Sequence, residues 1–355
     1  VPALTKSPAG IATATAFLAN VAKAFESNPF KPHSLFRRGH AQTMAAYLWP
    51  RRFRFASERD EERLFEVAPG IKVLAHCRWQ TNRIDHPTIV VWHGVEGSTS
   101  SNYMQAMAEK GFHSGFNVVR VNFRSCGGTE HLTSTIYHGG LSSDLRAVVE
   151  QLIENDGLPE IYLVGFSLGG NLVLKLAGEY GEEAPGEILG VCAISPSVDL
   201  SASADLIMKR SNWLYQYDFV RRLKKRIRIN HKLYPEVYDI GGLREVSTLR
   251  SFDDRFTSRA HGFIDAADYY YRSSSTRVID RIRIPTLIIH AQDDPFIPFA
   301  PLRDPAIANN PYILLVEPEH GGHVAFIGAD RSNGRDRFWA ENRVIEFCKL
   351  GNESL

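Results

Sequence analysis

The feature that most narrows the folds open to this chain is Gly165-Phe166-Ser167-Leu168-Gly169, lodged between the apolar run Ile161 to Val164 and the helical pattern Leu168 to Tyr180. A serine placed where a strand turns directly into a helix takes a strained backbone conformation, and the flanking glycines let neighbouring chain approach it closely. Its hydroxyl then stands clear of the sheet edge, and the helix N-terminus behind it favours developing negative charge. Chance readily supplies the five-residue pattern, but rarely the strand and the helix on either side of it.

The surroundings extend the same architecture. From about residue 71 short β-branched runs alternate with helical patterns, the signature of a mostly parallel sheet covered by helices on both faces. Strands are expected at Ile71 to Arg78, Thr88 to His93, Asn117 to Phe123, Ile161 to Val164, Leu189 to Ser195, Thr286 to His290 and Tyr312 to Val316. Helices are expected at Asn102 to Lys110, Ser142 to Glu154, Leu168 to Tyr180 and around Arg335 to Lys349. Between Ser195 and Pro285 the pattern changes to long polar and aromatic helices without a buried strand run. The fold class read from this is α/β, with a mainly helical insertion. The expected organisation is an N-terminal segment over 1–55 packed on the core, an α/β core over 56–199 and 281–355, and an inserted cap over 200–280.

Composition excludes more than it selects. Of 355 residues, 44% are hydrophobic and 23% charged, which argues against disorder or a fibrous repeat. Lys plus Arg number 41 against 40 Asp plus Glu, so no global field attracts nucleic acid. The four cysteines form no metal-ligand cluster, and Cys77, Cys192 and Cys348 lie in apolar stretches as small buried hydrophobes. Free thiols fit a reducing, cytoplasmic compartment. The segment Ile11 to Phe25 is shorter than the ~20 residues a spanning helix needs and carries Lys23. It is expected to pack on the body as an amphipathic helix, leaving peripheral contact as the membrane interaction open to it.

A nucleophilic serine needs a base, and the base an orienting acid, in the chain order Ser, Asp, His on this type of sheet. Asp294 follows the strand Thr286 to His290, and is preferred over Asp293 because it stands three positions after the small Ala291. His323, behind the paired Gly321 and Gly322, is preferred over His320, which sits nearer the strand end. The oxyanion hole is expected from the backbone N–H groups of Leu168 and of Val95, the latter in the turn-prone loop His93 to Ser98. His93 itself is expected to make a buried structural hydrogen bond. No cofactor or metal is called for. Tyr269, Tyr270 and Trp213, with Tyr215, Tyr217 and Tyr271, are candidates to line an acyl or alcohol pocket, with core packing the equally weighted alternative. The basic run Arg221 to Arg228 could hold a lipid headgroup or membrane surface, but the expected reading is a solvated helix face, with Leu223 and Ile227 turned inward.

Several spaced blocks resemble the YheT-like branch of the α/β-hydrolases, which also takes in animal ABHD lipases and yeast medium-chain ethyl ester synthase/esterases. These are Phe30-Lys31-Pro32 with Gly39-His40-Ala41-Gln42-Thr43, the loop His93 to Ser98, Asn122 to Gly128, Gly165 to Asn171, His261 to Ser275, Ala291 to Pro298 and His320 to Phe326. The resemblance implies an esterase or lipase without a cofactor, with the triad at Ser167, Asp294 and His323. Two positions depart from the family pattern. Ser125 stands where Arg-Gly-Cys is expected, and Glu96 places a carboxylate beside the oxyanion loop, where it is expected to repel anionic substrates. The sequence has no counterpart of the long membrane anchor of the animal lipases, so no stable membrane insertion is expected.

The resulting expectation is a serine carboxylesterase acting on small-molecule esters of short- to medium-chain acyl groups through an acyl-enzyme. An alcohol acyltransferase or lipase would use the same triad. A non-catalytic lipid-binding protein is the reading from a different class.

Overall fold

The computed structural model describes residues 8–53, 60–330 and 336–354. The expected boundary at 55/56 and Arg335, the expected start of the last helix, lie outside the described residues. Among the described residues eight strands form one sheet: β1 (Glu61–Ala68), β2 (Ile71–Arg78), β3 (Thr88–Trp92), β4 (Asn117–Val121), β5 (Ile161–Phe166), β6 (Ile188–Ile194), β7 (Thr286–Ile289) and β8 (Ile313–Val316). Their spatial order is β1-β2-β4-β3-β5-β6-β7-β8. β2 runs antiparallel to both β1 and β4, and β3 to β8 pair in parallel.

Every residue of β3, β4, β5, β6 and β7 is buried, as expected of strands covered on both faces. α1 (Pro8–Glu26), α3 (Asn102–His113), α4 (Ser142–Glu154) and α5 (Leu168–Tyr180) pack on the sheet, while α2 (Gly39–Leu48) lies against the loop that carries His323. β1 was not anticipated. Its sequence Glu-Glu-Arg-Leu-Phe-Glu-Val-Ala hides only Phe65 and Val67, because an edge strand keeps its outer face in water and so lacks the continuous apolar run of its neighbours.

Between β6 and β7 the chain is helical: α6 (Leu200–Ile207), α7 (Trp213–Leu233), α8 (Leu249–Phe252), α9 (Ser258–His261) and α10 (Ala266–Ser273). In α7, Leu223 and Ile227 are buried with Val220 against Phe252 and Phe256, giving this region its own apolar cluster. The chain closes with α11 (Pro305–Ala308) and α12 (Trp339–Ser354). α1 lays Phe17, Val21 and Phe25 against α12, with Phe17 meeting Phe347 and Phe25 meeting Trp339 edge to face. All four cysteines are free and buried. Among the described residues no helix is long and apolar enough to cross a membrane.

Because β3, β5, β7 and β8 are parallel, their C-terminal ends share one edge of the sheet. The segments leaving that edge are His93 to Ser98, Ser167, Asp294 and the loop reaching His323. In open α/β sheets this edge is where ligands bind.

Candidate active site

Ser167 leaves β5 with φ 55° and ψ −115°, a region that non-glycine residues rarely adopt. The neighbouring glycines are required by close approach. A Cβ on Gly165 would lie 2.1 Å from the Gly169 carbonyl oxygen, and one on Gly169 would lie 2.4 Å from that of Trp92. The turn is thus held between β3 and α5, and its strain persists because the packing on both sides fixes it.

His323 Nε2 lies 3.0 Å from Ser167 Oγ, and His323 Nδ1 lies 2.8 Å from Asp294 Oδ2. The structure therefore brings Ser167, Asp294 and His323 into one hydrogen-bonded line. The other oxygen of Asp294 accepts from the N–H groups of Phe296 at 2.8 Å and Ile297 at 3.1 Å. Burial alone would raise the Asp294 carboxyl, but the charge and hydrogen bond of His323, with the charge of His290 and the Phe296 N–H, hold it below its ordinary value.

Asp293 and His320 form a second, outer pair. His320 Nδ1 lies 3.1 Å from Asp293 Oδ2, while Asp293 Oδ1 accepts the Gly322 N–H at 2.9 Å. This carboxylate shapes the loop that carries His323. Gly322 has φ 59°, and a Cβ there would meet the Gly39 carbonyl oxygen at 2.5 Å and Thr43 Oγ1 at 2.7 Å. Only glycine fits that backbone and that gap together.

Helix α2 secures the same loop from outside. Thr43 Oγ1 accepts the His323 N–H at 2.9 Å, and Gln42 ties Phe36 to Ile327. Ser195, at φ 47°, accepts the Val324 N–H at 3.1 Å. None of these supports was identified as a functional residue from the sequence. Gly39 to Thr43 stood out only as a block of resemblance, without a physical role.

On the other side of Ser167, the loop after β3 has an informative pattern of donors. Gly94 N–H donates to Tyr103 Oη at 3.0 Å and Glu96 N–H to Tyr137 Oη at 2.9 Å. The Val95 N–H between them, and the Leu168 N–H at the start of α5, have no acceptor among the described residues. A Cβ on Gly94 would lie 3.0 Å from Ser167 Cβ, so the glycine keeps this loop against the serine. Tyr103 and Tyr137 were missed in the sequence because a hydroxyl that fixes a distant loop leaves no local pattern.

His93 is fully buried, accepts the Phe123 N–H on Nε2 at 3.1 Å and therefore donates from Nδ1 to the Gly94 carbonyl at 2.7 Å. Burial pushes its imidazole down to about 4. Its role in the fold is to set the loop.

Glu96 requires a correction. It does not face the site as a free anion: its carboxylate accepts from Arg226 Nε at 2.7 Å and Nη2 at 3.1 Å, and from Tyr137 Oη at 3.1 Å. The expected repulsion of anionic substrates is therefore removed by a buried cation on α7. Ser125, the other departure, has φ 61°, which explains why glycine suits that position. Its hydroxyl donates to Asn230 Oδ1 at 2.9 Å, a second tie between α7 and the core.

The aromatic candidates divide. Tyr269 and Tyr270 are buried, with hydroxyls committed to the Gly139 N–H and to Asp253. Trp213 points to solvent. Among the described residues no hydrogen bond or ring contact joins any of the three to the triad, and both tyrosines belong to the buried apolar core. Beside the triad lies Phe296, whose ring centroid is 4.8 Å from that of His323, backed by Phe219 and by Tyr215, one of the expected aromatic candidates. Among the described residues no group of three or more His, Cys, Asp or Glu is arranged to hold a metal ion.

Residues 87–330 match the family model of the α/β-hydrolase fold. A putative esterase of Escherichia coli, YheT, is 33% identical over 326 residues, spanning 90% of this chain and 93% of that protein. A monoacylglycerol lipase of Saccharomyces cerevisiae is 31% identical over 280 residues, spanning 76% of this chain and 60% of that protein. An esterase of Pyrococcus furiosus superposes with a TM-score of 0.57 at 18% identity, covering 84% of this chain and 96% of that one. This last likeness is one of fold.

Proposed function

The chain belongs to the α/β-hydrolase fold family, and from that premise we propose that it is a serine carboxylesterase working through an acyl-enzyme. The observation that carries this reading is the unbroken line from Asp294 through His323 to a strained Ser167. Ser167 Oγ attacks the ester carbonyl carbon while His323 Nε2 takes its proton. Asp294 holds the Nδ1–H tautomer and balances the imidazolium charge that forms. The negative oxygen of the tetrahedral intermediate is met by the Val95 and Leu168 N–H groups. Collapse expels the alcohol, which receives the proton from His323. Water then attacks the acyl-serine with the same residues in the same roles, releasing the acid.

Phe296 beside His323, with Tyr215 and Phe219 behind it, supports an apolar acyl or alkyl group at this wall. The substrates proposed are carboxylic esters of short to medium acyl chain. Rapid mixing with p-nitrophenyl butyrate tests the mechanism. The expected result is a burst of p-nitrophenol close to one per Ser167, absent from Ser167→Ala. Undiminished hydrolysis by Ser167→Ala would overturn it. Repeating the assay at graded ethanol concentrations separates hydrolysis, which keeps the acid as product, from acyl transfer, which forms the ethyl ester.

A further inference from the structure

The exposed side of α2 and the first turns of α7 carry six large apolar side chains: Met44, Tyr47 and Leu48 on one helix, Trp213, Leu214 and Tyr217 on the other, each between 42% and 68% exposed. Their spacing of three and four residues puts each set on one helical face. The two faces are joined, since Arg222 Nη2 donates to Tyr47 Oη at 2.9 Å and His40 stacks on Tyr215 with rings 5.8 Å apart. Single exposed apolar residues need no explanation, but a joined group spanning two helices does.

The same face turns cationic along α7. Positions 213, 217, 221, 225 and 228 follow one stripe, passing from Trp213 and Tyr217 to Arg221, Lys225 and Arg228. Between residues 218 and 228 the outward cations are Arg221, Arg222, Lys224, Lys225 and Arg228. They face one carboxylate, Asp218, which pairs with Arg221 at 2.6 Å and Arg222 at 2.7 Å. Lys225 and Arg228 have no carboxylate partner among the described residues. A cavity of about 550 Å³ opens at this end, lined by Arg222, Lys225 and Arg228. Glu96 and Glu130 in its wall are both engaged with Arg226.

Both helices also touch the candidate active site. From α2, Thr43 accepts the His323 N–H; from α7, Tyr215 packs on Phe296, which packs on His323. Aromatic side chains with polar tips suit the boundary between headgroups and acyl chains, and adjoining cations suit anionic headgroups. We propose that this face docks peripherally on an anionic lipid bilayer and receives ester substrates from it beside His323. The docking part stands on the surface alone, and the delivery part rests on the esterase reading. A basic surface for soluble polyanions would not need the apolar group, and a second copy of this chain would bring cation against cation.

Flotation with extruded vesicles of phosphatidylcholine, alone or with about one-third phosphatidylserine, tests docking without reference to hydrolysis. The protein is expected to float with the anionic vesicles at least tenfold better than with the neutral ones, and the difference should shrink as salt is raised. Leu48→Ser with Leu214→Ser and Tyr217→Ser should reduce flotation about tenfold while circular dichroism stays unchanged. Lys225→Glu with Arg228→Glu should abolish the preference for anionic vesicles. Wild-type protein remaining in the soluble fraction with both vesicles would overturn the proposal, as would undiminished flotation of the apolar triple variant. For delivery, a vesicle-embedded long-chain p-nitrophenyl ester is compared with soluble p-nitrophenyl butyrate. The triple variant should lose the first activity by about tenfold relative to the second, and equal loss of both would overturn delivery. If neither ester is hydrolysed by wild type, the esterase reading fails while flotation still decides docking.

Discussion

Two aspartate–histidine pairs lie side by side at the sheet edge, made of the same residue types and drawn from the same two loops. Asp294 and His323 are 29 positions apart, Asp293 and His320 27. The inner carboxylate is wholly shielded and its histidine 11% exposed, whereas the outer pair is 22% and 33% exposed. His323 continues to Ser167, while Asp293 turns one oxygen to the Gly322 N–H. Two carboxylate–imidazole contacts of the same make-up thus offer different chemistry. What separates the pairs is burial, which strengthens the electrostatic coupling, and a third group in line.

The sharpest way to break this comparison is Asp294→Asn, which should lower kcat about 10⁴-fold by unsettling the His323 tautomer. Steady-state hydrolysis of p-nitrophenyl butyrate reads it, and a loss below tenfold would put the two pairs on equal footing. Stability gives a pH test of the same carboxyl. A folded-state value held below the unfolded one contributes stability that is fully present above roughly pH 4 and is lost as pH falls through the folded value. The difference in urea midpoint between wild type and Asp294→Asn should therefore shrink as pH drops below about 4. Next in size is Asp293→Asn. Weakening its bond to the Gly322 N–H should cost about 1 kcal/mol of stability and tenfold or less in kcat. His320→Asn, at the exposed end of the outer pair, should change neither rate nor melting temperature appreciably, with stability within about 0.5 kcal/mol of wild type.

The inner pair was legible in the sequence because local features carry it. Ser167 stands at a strand-to-helix junction, Asp294 three positions after Ala291, and His323 behind two glycines. The parallel strands were legible for the same reason, since TIVVW and TLII are apolar throughout. β1 was not, because an edge strand buries only Phe65 and Val67 of its eight residues. The supports of the site were hidden by distance along the chain. Thr43 reaches a residue 280 positions away, and Arg226 neutralises Glu96 across 130. Tyr269 and Tyr270 carried an aromatic signal that packing and pocket share, and only their burial and their bonds to Gly139 and Asp253 separate the two. Motifs mark the atoms proposed to react, whereas the groups that hold them are fixed by the fold.

Whether Ser167 is the nucleophile is read from the intact mass and peptide map of the protein after brief exposure to a fluorophosphonate. One covalent adduct is expected, on Ser167, absent from Ser167→Ala, much slower to form in Asp294→Asn and unslowed in His320→Asn. A folded wild-type protein that stays unlabelled, or that carries its adduct on another residue, would contradict it.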